Sequence, residues 1–292
     1  MSIIHLILSK YMLEKEDYDE SYSNSWQSVC KELNIDYTII YSSPYEEPEK
    51  FIAELPTCCK INEGKIPVFF GTIEMCRKVK EYMKDKSIDY RLFYDEKEFE
   101  CTNYYPKMSC FIPLVNREYI VMEYWQVLLS WDQIFDYFHS SILFFRPNDS
   151  TKSFTGANFM KGNEGKELFK EHTDKNNTGW GKQINDNCLV VIAPSKKIIS
   201  EYRFFIYNKQ VITGSQYNRN NTLDIRSDYL EKAKKIAELV AKQEYQPYIA
   251  YTCDIAEMNC EGGEMQVIEL NEGSSSGFYE MNKKEILKAL IN

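Results

Sequence analysis

The chain has 292 residues, 43% hydrophobic and 14% aromatic, which is ample apolar surface for burial and excludes a disordered chain as the default reading. Its formal charge of −9 argues against non-specific binding to nucleic acid or to an anionic membrane, and no apolar run approaches the length of a membrane span. The length is large for one core, so two or three subdomains are expected.

In chain order, His5–Ser9 and Tyr37–Tyr41 read as buried strands around an amphipathic helix near Asn24–Leu33, whose Trp26, Val29, Cys30 and Leu33 share a face: a βαβ opening. Pro67-Val-Phe-Phe-Gly-Thr is another strand, leading at Gly71-Thr72 into a helix with Ile73, Cys76, Val79 and Met83 on one side. Backbone N–H groups at such a junction can cradle an anion; with no further glycines, a plain tight turn is the preferred reading. Tyr94 to Tyr105 is polar and irregular and marks the first boundary. Trp131–His139 reads as a short helix and Ile142–Pro147 as a strand. From Asn148 to Asn187 the chain is rich in Gly, Asn, Lys and Ser, so loops are expected there, with a short helix near Glu164–Lys170. Leu189–Ala193 is an apolar strand closed by Pro194. Tyr202–Tyr207 and Gln210–Ser215 form a hairpin about Asn208-Lys209. Ser227 is placed to cap a helix over Asp228–Lys242, and Lys283–Leu290 is a terminal helix.

Between those two helices lies the most informative stretch. Tyr251-Thr-Cys-Asp-Ile-Ala and Gln266-Val-Ile-Glu-Leu-Asn both alternate as strands, and Gly262-Gly263 suits a two-residue hairpin turn, where both positions need φ > 0. With that turn Asp254 lies across from Asn271, with Glu269 diagonal on the same face. A turn at Glu261-Gly262 sets Asp254 opposite Glu269 instead, and the three side chains converge either way. Cys253, Ile255, Ile268 and Leu270 then face the core. Hard oxygen donors that supply part of a shell suit Mg²⁺ with phosphate oxygens and water completing it. The competing reading, a hairpin with a solvated polar face, is weakened by the loop Glu272-Gly-Ser-Ser-Ser-Gly that follows and by matching segments upstream.

Those segments are Phe145-Arg-Pro-Asn-Asp-Ser-Thr-Lys-Ser-Phe-Thr-Gly and Glu201-Tyr-Arg-Phe-Phe-Ile. With Asp254 and Glu269-Leu-Asn271 they resemble, in this order, the ATP-grasp superfamily, in the branch with arginine in place of the second nucleotide-binding lysine. The resemblance covers roughly the C-terminal two-thirds. It implies an α/β protein (α+β lobes): a Rossmann-like pre-ATP-grasp or substrate domain over 1–98, a central lobe with the phosphate flap over 99–188, and a C-terminal lobe with the Mg²⁺ site over 189–292, with the nucleotide between the lobes. By the same resemblance Arg146 contacts the nucleotide phosphates and Arg203 faces the γ-phosphate or acyl-phosphate. Asn148–Gly156 is the flap, where Lys152, Ser153 and Thr155 are candidate phosphate contacts beside Ser150 and Thr151. Val191, Ile192 and Ala193 pass the adenine, Ala193 standing where relatives often carry an acid for the ribose. Glu201 belongs to the acidic-x-Arg element. Asp254, Glu269 and Asn271 hold the metal, and Ser274, Ser275 and Ser276 are candidate substrate contacts. The first nucleotide-binding lysine has no evident counterpart; Lys182 and Arg117 are the candidates.

The resemblance implies an ATP- and Mg²⁺-dependent ligase that phosphorylates a carboxylate and lets an amine or thiol displace the phosphate. The acceptor is a small molecule, peptide or protein terminus with a carboxylate; neither nucleic acid nor a membrane is expected as a partner. The alternatives are a phosphotransferase that stops at a phosphorylated hydroxyl and a nucleotide-binding module without turnover. Nine scattered cysteines, including the vicinal Cys58-Cys59, fit reduced thiols, and the opening apolar run is too short for a secretory signal, so a cytoplasmic location is expected. His5, His139 and His172 form no metal-ligand spacing and GxSxG is absent, which disfavours a histidine-centred hydrolase.

Overall fold

A computed structural model describes residues 4–13, 22–44, 47–58, 64–86, 89–108, 110–174, 184–260 and 262–291. Cys59 and Lys182, the Cys58 side chain, and Glu261 of the alternative turn lie outside the described residues.

The chain opens with β1 (Ile4–Ser9), α1 (Trp26–Leu33), β2 (Asp36–Ile40), α2 (Pro48–Cys58), β3 (Ile66–Phe70) and α3 (Ile73–Lys86). The three strands form a parallel sheet in the order β2-β1-β3, as a βαβ reading requires. Ser25 caps α1 by accepting from the Ser28 N–H, and Trp26, Val29 and Cys30 turn the helix's apolar face into the core. Burial pushes the Cys30 thiol up to about 12, so it is an inert core group. Gly71 does not cradle an anion: its N–H donates to the Ser274 carbonyl at 2.9 Å.

Next come α4 (Cys101–Met108), β4 (Ile120–Glu123), α5 (Tyr124–Leu129), α6 (Trp131–Tyr137), β5 (Ile142–Pro147), β6 (Ala157–Met160), α7 (Asn163–Thr173) and β7 (Leu189–Pro194). β4, β7, β5 and β6 pair antiparallel in that order. An aromatic cluster of Trp131, Phe135, Phe145, Phe154, Phe159 and Phe169 packs on this sheet; Trp131 stacks on Phe145 at 5.0 Å between ring centroids. Helix α4 occupies part of the stretch read as irregular. Its N-terminal N–H groups are satisfied from a distance, Thr102 by the Asn148 side chain at 2.8 Å and Cys101 by the Asn148 carbonyl at 3.0 Å.

The remaining elements are β8 (Ile198–Tyr207), β9 (Gln210–Arg219), β10 (Thr222–Arg226), α8 (Glu231–Ala241), β11 (Ala250–Met258), β12 (Met265–Glu272) and α9 (Lys283–Ile291). They include a five-stranded sheet in the order β10-β9-β8-β11-β12. Asn208 and Lys209 both take positive φ, 46° and 62°, the two-residue turn expected between β8 and β9.

Two expectations are corrected. The Gly262-Gly263 turn is longer than two residues. Both glycines do have positive φ, 85° and 55°, but the Met258 N–H donates to the Glu264 carbonyl and the Gly263 N–H to that of Cys260. Ser227 caps no helix: α8 begins at Glu231 after Leu230. The chain at Asp228 is instead tied to β9, its carbonyl accepting from the Gln216 N–H at 3.1 Å, and this competes with helical geometry.

The chain divides into two compact units. One comprises residues 1–94, 200–255 and 269–292; the other comprises 95–199 and 256–268. In the first, Ile4, Leu6, Trp26, Phe70, Phe93, Phe205, Phe278 and Leu287 join the parallel sheet, the five-stranded sheet and α9 in one core. Among the described residues no helix is long and apolar enough to cross a membrane.

Candidate functional site

Arg146, Lys152, Ser153, Thr155, Val191, Ile192 and Ala193 fall in the second unit; Glu201, Arg203, Asp254, Glu269, Asn271 and Ser274–Ser276 fall in the first.

In the second unit, register sets Arg146 directly across from Val191 and Phe144 across from Ala193, so these four share a sheet face. Phe145 and Ile192 pair on the opposite face and enter the aromatic core. Arg146 is half-buried. The flap returns to this face at Gly156, where a Cβ would stand 2.7 Å from the Phe144 ring and 3.3 Å from the Arg146 Cβ. A side chain there would require the Phe144 ring to shift.

Within the flap, Asp149 organises the turn. Its carboxylate accepts from the Ser153 hydroxyl at 2.6 Å, from the Ser153 N–H at 3.4 Å and from the Thr151 hydroxyl. The Ser153 side chain is therefore engaged inside the loop, whereas Lys152, at φ 53°, and Thr155 are exposed. Phe154 is fully buried against Phe169 and anchors the loop in the core. Arg117 is exposed. The sequence reading missed Asp149, although Asp followed by hydroxyl residues is a recognisable turn pattern.

In the first unit, Asp254 on β11, Glu269 and Asn271 on β12 and Arg203 on β8 come together. Arg203 grips Asp254 with two parallel bonds, Nε to Oδ1 at 2.7 Å and Nη2 to Oδ2 at 2.6 Å, and donates a third from Nη1 to the Gly277 carbonyl at 3.2 Å. The Asn271 amide nitrogen donates to Asp254 Oδ2 at 3.3 Å and to Glu269 Oε1 at 3.0 Å. The ion pair is almost wholly buried, with side-chain exposures of 7% and 1%. Burial alone would lower the Arg203 guanidinium; Asp254 outweighs it and holds the group well above its ordinary value, so it is charged at any working pH.

Glu201 lies one alternation from Arg203 and accepts from the Tyr217 hydroxyl at 2.5 Å. Burial raises its carboxyl above the ordinary range. The hydrogen bond from Tyr217 opposes the rise, and repulsion from Asp254 and Glu269 adds to it. Tyr217 stacks on Tyr279 with centroids 5.0 Å apart and planes 7° from parallel, and the Arg203 guanidinium carbon sits 5.5 and 5.3 Å from the two ring centres. Neither tyrosine was singled out from sequence. Tyr217 was within reach of the alternation rule, two residues past Ser215, which pairs with Arg203; Tyr279 carries no local signal.

The three serines differ. Ser274 is fully buried: its hydroxyl accepts from the Phe93 N–H at 2.9 Å, and its carbonyl receives the Gly71 N–H. The Ser276 hydroxyl donates to the Glu272 carbonyl at 2.8 Å and accepts from Thr252 at 2.9 Å. Ser275 is half-buried and donates to Glu272 Oε2 at 3.4 Å.

As a metal site, the set offers carboxylate and amide oxygens only, the donor chemistry of a hard cation. Both Asn271 donor bonds run to carboxylates, and its Oδ1 accepts no hydrogen bond among the described residues. Among those residues no three His, Cys, Asp or Glu side chains are grouped as a ready-made metal centre. The Glu269 carboxylate and the Asn271 amide oxygen have the chemistry such a cation takes, whereas both Asp254 oxygens already accept from Arg203.

The three sheets together, one parallel and two antiparallel, are those of ATP-grasp ligases. A D-cycloserine synthetase, DcsG, superposes with a TM-score of 0.56 at 12% identity, over 99% of this chain and 98% of that one. The D-alanine–D-alanine ligase of Bacillus anthracis gives 0.54 at 13%, over 98% and 97%. A RimK domain ATP-grasp protein of Sphaerobacter thermophilus gives 0.54 at 11%, over 93% and 92%. At these identities the likeness is one of fold. No curated protein matches the sequence. The model of the ATP-grasp domain, arginine-for-lysine clade, family 2, matches residues 131–289, more than half of the chain. The chain belongs to that family, the branch expected from Arg146.

Proposed function

We propose that the protein is an ATP- and Mg²⁺-dependent ligase that joins a carboxylate to an amine or thiol through an acyl-phosphate. The observation that carries this reading is the Arg203 guanidinium, buried, clamped by Asp254 and set beside Glu269 and Asn271. A guanidinium has five N–H donors, and three are engaged among the described residues. One N–H therefore remains on each terminal nitrogen, a paired donor for an anion.

In this reading Arg203 stabilises charge on the transferring phosphoryl group and the acyl-phosphate, and Arg146 binds the nucleotide phosphates. Both are fixed before reaction by strand backbone and, for Arg203, by Asp254, so little reorganisation accompanies charge development. Glu269, Asn271 and Asp254 would hold Mg²⁺, which when bound neutralises phosphate charge and aligns the in-line transfer. Lys152 and Thr155 are the exposed flap groups for phosphate, the backbone of Val191–Ala193 passes the adenine while the Ile192 side chain stays in the core, and Ser275 is the serine best placed for the acceptor. The acceptor is a small molecule, peptide or protein terminus with a free carboxylate.

The test is a screen of amino acids and peptides, paired with amines and thiols, for phosphate release from Mg-ATP. Release that requires both substrates supports a ligase; release of ADP with a phosphorylated product from one substrate identifies a phosphotransferase. Glu269→Gln should fold, bind nucleotide and lose turnover. Full turnover in that variant overturns the metal assignment.

A further inference from the structure

We propose that Tyr217 and Tyr279 are positioning residues that orient the free edge of Arg203 toward the γ-phosphoryl group. The inference rests on the role given to Arg203 above, but it concerns residues which that reading does not use.

Three observations converge. Asp254 and the Gly277 carbonyl fix two sides of the guanidinium and leave one N–H on each terminal nitrogen, so the direction of that pair depends on the plane in which the group lies. The parallel rings of Tyr217 and Tyr279, both within 5.5 Å of the guanidinium carbon, restrict that plane. Each ring is itself held by an irregularity of the backbone.

Tyr217 is the extra residue of a β-bulge. Glu201 pairs with Asn218 and Tyr202 with Gln216, so Tyr217 has no opposite number on β8. Bulges re-aim side chains, and here the phenol ends 2.5 Å from Glu201 Oε2. Tyr279 has φ 47°, the left-handed region that an aromatic residue rarely adopts and that Gly or Asn takes at much lower cost. A bulky ring kept in that conformation points to a use for the ring. Tyr279 also lies in the loop 273–282, whose Gly277 supplies the third Arg203 bond, so the loop that carries the candidate acceptor serines is coupled to the arginine at two points.

The test compares binding of Mg-ADP and of the Mg²⁺ complex of a non-hydrolysable ATP analogue by titration calorimetry. The ratio of the two dissociation constants reports the γ-phosphate contact. Tyr279→Asn tolerates the left-handed backbone and removes the ring; it should lower the ratio roughly tenfold, about one misaligned charge-assisted hydrogen bond, with Mg-ADP affinity unchanged. Tyr279→Phe should restore the wild-type ratio. Tyr217→Leu, at a bulge position without positive φ, is the second variant and should show the same loss. Wild-type ratios in Tyr279→Asn and Tyr217→Leu, or equal weakening of both nucleotides, overturn the positioning role while leaving the proposed function standing. Wild-type protein that binds neither nucleotide, or binds both equally, overturns the proposed function and this inference with it.

Discussion

Removing Asp254 tests the centre of the site without any knowledge of the substrate. In Asp254→Ala the Arg203 guanidinium stays buried but loses two bonds of 2.7 and 2.6 Å, and only the Gly277 carbonyl and two aromatic rings remain to it. Breaking a buried pair by deleting one partner costs about 3–5 kcal/mol, because the other charge is left desolvated. For a chain of this size that corresponds to a fall in melting temperature on the order of 10 °C. Replacing both partners by apolar groups, Arg203→Met with Asp254→Leu, removes the stranded charge, so the double variant should recover most of the loss. Thermal or urea denaturation of the wild type, Asp254→Leu, Arg203→Met and the double variant, without nucleotide or metal, closes the cycle, with Asp254→Ala measured beside them. A loss under about 1 kcal/mol in Asp254→Ala, or a double variant as unstable as the sum of the two single losses, would refute the argument that this pair is mutually dependent and desolvated.

Other outcomes follow from the same geometry. Glu201 has its carboxyl raised, so between its ordinary value of 4.5 and its folded value the native state binds more protons than the unfolded one. The stability it contributes is complete below 4.5 and is lost as pH rises through the folded value; Glu201→Gln should melt higher than wild type near neutral pH, with the gap closing toward pH 4.5. A gap that widens on acidification rules out the assigned direction. Gly165→Ala should destabilise, although alanine ordinarily favours a helix by about 1 kcal/mol, because the new Cβ would stand 1.9 Å from the Met160 carbonyl oxygen; an unchanged denaturation midpoint contradicts that packing. Saturating Mg-ATP at about 100 times its dissociation constant should stabilise the wild type by about 2.7 kcal/mol. The same concentration should stabilise Arg146→Ala much less, with Arg146→Lys intermediate, since a point charge cannot reproduce a paired contact. A full shift in Arg146→Ala would place that residue outside the nucleotide site.

Elements with strong local signals were legible before any coordinates: the βαβ opening, the strand Ile142–Pro147 and the Asn208-Lys209 turn coincide with β1 to β3, β5 and the β8–β9 hairpin. These rest on side-chain alternation and turn chemistry, which act over a few residues. Helix α4 escaped notice because its N-terminus is capped from Asn148, 46 positions away, and Ser227 misled because the strand-like bond between Asp228 and Gln216 outcompetes a local cap.

The residue types at the site were determined by the sequence itself. Asp254, Glu269, Asn271 and Arg203 are read from period-two strands and motif order, since alternation decides which side chains share a face. Tertiary structure alone decided how they are used. Arg203 meets Asp254 because β8 pairs with β11, a neighbour relation that no local pattern encodes. Tyr217 reaches Glu201 because one extra residue shifts the register of β9, and Tyr279 covers the guanidinium from 76 positions away in a backbone conformation its residue type disfavours. Strand order, bulges and left-handed residues are settled by the packing of the whole unit, because each is stable only when the surrounding contacts outweigh its local cost.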